Sequence, residues 1–541
     1  MQATPRMLHP ARLIHALLLA FALTGLGACA GLPPGAEFER RNSVALENPQ
    51  QTRLGKHFAD AAHAHGGNSA YRMVPLGLDG YFLRTQMIEA AERTIDLQYY
   101  IFRNDETGKL LCEALLRAAD RGVRVRILVD DIDAGAGENR DIQILTAHPN
   151  IAVRVYNPLR YRGRSTARRY TEILFNLPRL DYRMHAKLMV VDNAVSLVGG
   201  RNVGDEYFQI DPEGQLGDYE TFAGGPIVTG LSGVFDEFWR NVYAVPIRAL
   251  GSGVPTQEDL GTYRQELRAH RQEKREDGSD YATRVQAGEP LRGMLTGRVP
   301  LVWAPATVVY DPPDKRAVVR GEKPGPLMRD TLAREFENAQ SEVLLVSAYV
   351  VPGREGMRLL RQAKARGVGV RIVTNSMQAN SEPTAHAGYL QYREAVLSNS
   401  DALYEVRDRP GSARGPGQGE AMNRYGTFGI HTKLIIFDRR RVLVSSMNFD
   451  ERSLNLNAEL GLLIDSPELA QQAIALFNGL AQPLNSYHVT RELRSGPEPS
   501  RLTWRTVENG VPVEYYEDPA KSMGHRLQVQ LMALLPLAHE L

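Results

Sequence analysis

HAKLMVVD, from His185 to Asp192, and HTKLIIFD, from His431 to Asp438, are two copies of one pattern, His-x-Lys-x4-Asp. With 13 His and nine Lys in 541 residues, chance supplies one copy in on the order of one chain in a hundred, and two far more rarely. The context repeats as well. After six further residues each copy is followed by a small-small-x-Asn unit, Gly199-Gly200-Arg201-Asn202 in the first and Ser445-Ser446-Met447-Asn448 in the second. Arg outnumbers Lys 55 to nine, yet both motifs carry Lys, which points to a need for a compact ammonium rather than a broad guanidinium.

Around the two motifs the chain repeats itself. TIDLQYYIF, an amphipathic stretch from Gly108 to Asp120 and RGVRVRILVDD recur as SEVLLVSAYVV, a stretch from Glu355 to Ala365 and RGVGVRIVTNS. Arg121 and Arg366 are 245 residues apart and His185 and His431 are 246 apart, so the unit is a duplicated domain. Strand, helix, strand order with apolar strands predicts an α/β fold with mixed or parallel sheets covered by helices. The organisation expected is a leader over 1–28, a tether over 29–70, a first domain over 71–250, a charged linker over 251–295, a second domain over 296–485 and an extension over 486–541. The linker's TQEDLGTYRQELRAHRQEKREDGSD reads as a solvated helix with its loop. RLQVQLMALLPLAHEL at the C-terminus is apolar enough to dock on the body or touch a membrane surface.

Bulk properties narrow the function. A net charge of +1 gives no global pull toward nucleic acid, so an anionic partner must be held locally. Two cysteines exclude a disulfide scaffold. Cys112, among apolar residues at helical spacing, reads as a buried inert thiol. Cys29 follows Arg6, Arg12 and the apolar run LIHALLLAFALTGLGA, which has the length of a signal-peptide core. Leu26-Gly27-Ala28-Cys29 resembles a bacterial lipobox, so Cys29 is the expected lipidation site of an envelope lipoprotein facing the periplasm, the alternative being plain cleavage near Ala28 or Ala30. Inner and outer membrane are not distinguished.

Two histidines that meet across a two-domain cleft suit phosphoryl or phosphatidyl transfer: one imidazole attacks phosphorus and the other protonates the departing alcohol. Lys187, Lys433, Asn202 and Asn448 would then neutralise the non-bridging oxygens. No metal or other cofactor is needed, and no further cluster has convincing metal-ligand spacing. Each imidazole needs an orienting carboxylate on its other nitrogen. Glu459 lies 28 residues past His431 and eight before Pro467. Asp218, eight before Pro226, is its counterpart, with Glu220 and Glu213 as competitors. Asp192 and Asp438, each ending an apolar strand, read as structural turn caps. LRYRGRSTARRY places Arg160, Arg162, Arg164, Arg168 and Arg169 beside Tyr161 and Tyr170, a composition that suits an anionic lipid interface, a nucleic-acid backbone or a merely solvated loop.

At these residues the chain resembles the phospholipase D superfamily over roughly residues 70 to 485. YYIFRNDETG, RVRILVDD, RMHAKL, GGRNVGDEYF and SSMNFDERSLNLNAE look like the bacterial cardiolipin synthases of the C type. The resemblance implies two pseudo-symmetric phospholipase D-like α/β domains with the active site between them, His185 as nucleophile and His431 as acid and base. It implies a phosphatidyl group passed from phosphatidylglycerol or phosphatidylethanolamine to phosphatidylglycerol, with a membrane surface as partner and no nucleic acid. Ser445 stands where the family often has Gly. A hydrolytic phospholipase D, an envelope nuclease and a non-catalytic lipid-binding scaffold are the alternatives; the last needs neither histidine.

Overall fold

The computed structural model describes residues 32, 43–132, 140–163, 165–210, 214–250, 253–276, 290–409, 411, 427–492 and 501–534. Cys29 and its leader, Arg164 and Glu213 lie outside them, and so do the readings placed there.

Two large mixed sheets carry the duplication. The first has nine strands, in the order Val302–Ala304, Ser69–Val74, Glu220–Gly224, Val195–Gly199, Leu188–Val191, Thr94–Tyr99, Arg124–Asp130, Ile151–Tyr156 and Ala244–Pro246. The second has ten: Ala306–Tyr310, Leu460–Asp465, Arg441–Ser445, Lys433–Phe437, Glu342–Ser347, Gly369–Asn375, Ala402–Val406, Ser486–Glu492, Arg501–Glu508 and Val511–Tyr515. In each sheet three consecutive strands run parallel, 94–99, 124–130 and 151–156 in one and 342–347, 369–375 and 402–406 in the other. Their crossovers include the helices Glu106–Asp120 and Gly353–Ala365, whose apolar faces cover the sheet as the spacing predicts.

The strand after each His-x-Lys pairs antiparallel with the first of those parallel strands, and the register repeats: Leu97 faces Met189 and Leu345 faces Ile435. Apolar side chains on both faces bury these strands completely. Each turns back through a three-residue loop, Asp192 to Ala194 and Asp438 to Arg440, whose first two residues have φ between 49° and 54°. Ala194 and Arg440 close the loops by donating to Val191 and Phe437 carbonyls. This is the mirror-image turn whose twist matches a hairpin, and aspartate and asparagine tolerate it best among residues with a side chain. The Asp192 carboxylate also accepts from the backbone N–H groups of Glu92, Arg93 and Thr94 at 2.8–2.9 Å. Asp438 does the same for Gln340, Ser341 and Glu342 at 2.7–3.1 Å.

One apolar core spans both halves. The helices Ile227–Arg240 and Pro467–Leu480 contribute Phe235, Trp239 and Phe477 to a cluster that also holds Leu188, Val198, Leu434 and Val444. Removing such side chains from water stabilises by about 1.5–3 kcal/mol each, so the halves are joined by buried surface and not only by chain.

Several of the expected connecting segments are folded onto the two sheets. Within the tether region, Arg53–Ala64 is a helix that places Leu54 and Phe58 in the first core. The charged stretch holds a helix, Gln257–Glu276, but it is docked rather than solvated: Leu260, Tyr263 and Leu267 are buried, while Arg264 and Arg271 pair with Asp120 and Glu113. Three apolar residues at helical spacing suffice to seat an otherwise charged helix. Strand 302–304 completes the first sheet although it follows the linker, and strands 486–515 extend the second. No helix of the described residues is long and apolar enough to cross a membrane.

Candidate active site

The two histidine-bearing loops are held by the same device in each half. Asp130, at the end of its parallel strand, accepts from the Met184 N–H at 2.9 Å and pairs with the buried Arg183 guanidinium. Asn375, its positional counterpart, accepts from the Ile430 N–H at 2.8 Å and donates to the Ile430 carbonyl at 2.8 Å. Residues 184 and 430 immediately precede the histidines. Each loop then bonds to the opposite half. His185 N–H donates to Ala458 O at 2.9 Å, and His431 N–H donates to Gly217 O at 2.7 Å. Around the second loop, Thr427–Ile430 pairs parallel with Gly214–Gly217.

Those cross-half bonds decide which carboxylate each imidazole meets. Ala458 precedes Glu459 and Gly217 precedes Asp218, so the acids are exchanged between halves. His185 Nδ1 lies 3.0 and 2.9 Å from the two Glu459 oxygens, and His431 Nδ1 lies 2.7 Å from Asp218 Oδ2. An ionised carboxylate only accepts, so Nδ1 carries the proton and Nε2 keeps its lone pair. Of the competitors, Glu220 is engaged elsewhere: its oxygens accept from Arg84 at 2.7 Å and from Arg201 at 2.8 Å.

The small residues after each strand serve the acids unequally. A Cβ built on Gly200 would stand 2.5 Å from an Asp218 oxygen, so only glycine allows that approach. In the other half Ser446 occupies the equivalent position and its hydroxyl donates to Glu459. Ser445 sits beside Gly461, whose own added Cβ would meet it at 2.5 Å.

Both lysines turn their ammonium onto the carbonyl of the histidine two residues back, Lys187 onto His185 O at 2.6 Å and Lys433 onto His431 O. Burial pushes Lys187 well below the usual lysine value, and burial lowers Lys433 to about 8 against the opposing pull of Asp218 and Glu459. Burial, reinforced by the lysines, likewise depresses His185 well below 6.5 and takes His431 to about 3. Both imidazoles are therefore neutral near pH 7.

The histidines, Asn202 and Asn448 line one cleft of about 1030 Å³. Asn202 donates to the Tyr207 hydroxyl at 2.9 Å, while Asn448 Oδ1 is buried without a hydrogen-bond partner, an acceptor available to a ligand's hydroxyl or amine. Tyr100 and Tyr207 set their rings edge-on to His185 and His431, with centroids 4.8 and 5.3 Å away. Neither tyrosine, nor Asp130 or Asn375, was singled out from the sequence. The signal for the last two was their place at the end of the duplicated strands. Among the described residues no group of three or more His, Cys, Asp or Glu is placed to hold a metal ion.

The basic loop is partly folded back. Arg162 donates to Asp131 at 2.8 and 2.7 Å, and the buried Arg169 donates to Asp131 O at 2.8 Å. Arg160 and Arg168 are exposed, with Arg168 over the Tyr161 ring.

A family model described as "Cardiolipin synthase, PLD-like domain" matches residues 85–239 and 332–481. The chain is 31% identical over 482 residues to cardiolipin synthase C of Escherichia coli K12, covering 87% of this chain and 96% of that protein. It is 24% identical to cardiolipin synthase A of Pseudomonas putida W619, over 79% of this chain and 70% of that one. The fold is similar to a crystal structure of phosphatidylserine synthase from Haemophilus influenzae Rd KW20, with a TM-score of 0.50, 16% identity and coverage of 79% and 91%. Both matched segments coincide with the two repeats that carry the crossed histidine–carboxylate pairs, and the chain belongs to the phospholipase D superfamily, among its cardiolipin synthase-like enzymes.

Proposed function

We propose that the enzyme transfers a phosphatidyl group to phosphatidylglycerol through a phosphohistidine. The observation that carries the reading is the pair of imidazoles in one cleft, each held at Nδ1 by a buried carboxylate from the opposite half. The Nε2 lone pair of His185 attacks phosphorus, the bond to the donor's headgroup oxygen breaks, and His431 delivers a proton to that oxygen. The hydroxyl of phosphatidylglycerol then attacks the same phosphorus, gives its proton to His431 and displaces His185, forming cardiolipin. Assignment of His185 as nucleophile rests on family resemblance.

The low proton affinity of His431 fits a site entered by an anion. A bound phosphodiester places negative charge beside the imidazole and raises its affinity for the proton it must later donate. Lys187 and Lys433 supply positive charge next to the reacting phosphate, and the neutral amides of Asn202 and Asn448 offer N–H donors to its non-bridging oxygens. A tether at Cys29 would raise the local concentration of lipid at the cleft.

The test is labelled phosphatidylglycerol, alone and with phosphatidylethanolamine, followed through the initial linear phase. Cardiolipin from phosphatidylglycerol alone supports the reading, and cardiolipin that requires both lipids identifies phosphatidylethanolamine as donor. Phosphatidic acid as the main product in membranes would make the enzyme a hydrolase.

A further inference from the structure

Large apolar side chains exposed on the described surface are not scattered. Seven of twelve lie on two short segments: Tyr170, Leu174 and Phe175 on the helix Thr166–Phe175, and Met523, Leu527, Leu531 and Leu534 along and just past the helix Met523–Ala533. Within each helix the opposite face is the anchored one. Arg169 is buried against the Asp131 carbonyl, and Val529 is buried with Met377 and Ala387. Positions 523, 527, 531 and 534 recur at helical spacing, so they form one outward stripe. Leu174 and Phe175 are 65% and 71% exposed, and Met523 and Leu534 are 83% and 80% exposed, values at which a side chain contributes nothing to the core beneath it.

Both segments border the active-site cleft, one from each half. Thr166, Arg169, Tyr170 and Ile173 line it on one side, and Lys521, two residues before the second helix, lines it on the other. Exposed Arg168, on the first helix beside Arg169, and exposed Lys521 add positive charge to these segments. An apolar stripe rimmed by basic residues is the chemistry of a helix that lies in the boundary between headgroups and acyl chains.

We infer that these two helices are a bipartite docking face for an anionic bilayer, seating the cleft mouth against the membrane so that a phospholipid enters headgroup first without leaving its leaflet entirely. The inference rests on the reading that the substrate is a bilayer lipid. Each stripe offers three or four large side chains at the depth such helices reach, and neither crosses the bilayer. The face is distinct from any anchor at the N-terminus, since it orients the cleft rather than merely retaining the chain.

The test uses the full chain carrying Cys29→Ser, with Leu174→Cys or Leu531→Cys labelled by an environment-sensitive dye; Cys112 is buried and does not compete. On vesicles of phosphatidylglycerol and phosphatidylethanolamine both dyes are expected to shift to the blue and to be quenched by a bilayer-embedded quencher, more weakly at high salt. Dyes that stay wet while the chain is vesicle-bound would overturn the inference. So would dyes already dry without lipid, at all concentrations if the chain's own C-terminus covers the stripe, or only at high concentration if a second copy does. In a second arm, Leu174→Asp with Phe175→Asp, and Leu527→Asp with Leu531→Asp, are each expected to slow turnover of vesicle-held phosphatidylglycerol about tenfold or more, leaving a monomeric short-chain phosphatidylglycerol turned over at the parent rate. Equal losses on both substrates would mean damage to the fold and would overturn it. The dye readout needs no turnover, so it stands even if the proposed reaction fails.

Discussion

At the scale of single residues the chemistry depends on what each imidazole touches. His185→Ala should abolish both the phosphoenzyme and turnover, a loss of about 10³-fold or more, checked by trapping labelled protein in denaturant at neutral to mildly alkaline pH, where an N–P bond survives, and by cardiolipin yield. The crossed carboxylates make a finer prediction. Glu459→Gln should slow formation of the phosphoenzyme, because it removes the group that orients His185. Asp218→Asn should slow the step that needs the His431 proton. Each loss is expected at about 10²-fold, read by single-turnover kinetics; a phosphoenzyme burst unchanged in Glu459→Gln would contradict the pairing. Lys433 supplies a pH dependence. Its proton is held with a value of about 8 in the free enzyme, so its charge is present below that pH and lost above it. The ratio kcat/KM should therefore fall as pH rises through about 8, while the same limb in kcat lies higher, because bound phosphate favours the ammonium. A kcat limb below the kcat/KM limb would remove Lys433 from the phosphate's surroundings.

At the scale of elements, the last residue of the repeated motif works for the hairpin rather than for the phosphate. Asp192 sits wholly buried at the turn and binds three backbone N–H groups of the segment that starts a neighbouring strand. Asp192→Ala should cost about 2–4 kcal/mol, seen as a lower midpoint in chemical denaturation. Asp438→Ala should cost less because its surroundings are partly wet. Purified folded Asp192→Ala should keep most of its specific activity, and a loss as deep as that of His185→Ala would contradict the assignment. These elements were legible in the sequence because periodicity and spacing are local: the paired strands, their helices and the 246-residue offset of the histidines all follow from short-range pattern. The exchange of Asp218 and Glu459 was not legible, since spacing within one repeat says nothing of which half a side chain reaches. The docking of helix 257–276, though not the helix itself, escaped for a related reason, as three buried residues among many charges read as solvated until a docking surface is known.

At the scale of the whole molecule, the shared core fixes the halves against each other, and in the proposed mechanism the lysines take the place in charge that a divalent cation would fill. Turnover by protein stripped of metal should survive excess chelator, and loss on chelation with recovery on adding a divalent ion, lipid effects excluded, would contradict this. The crossed pairs also bear on how such a chain could arise. One repeat alone holds a histidine and a carboxylate that cannot serve each other, so a protein of a single repeat completes its chemistry only by meeting an identical subunit about a two-fold axis. Joining two repeats in tandem makes that meeting permanent and independent of concentration, and it releases the two copies from identity. The glycine beside Asp218 and the serine beside Glu459 record that release: the molecule retains the symmetry of a dimer in its backbone, while its two half-sites are free to specialise, one toward attack and the other toward proton transfer.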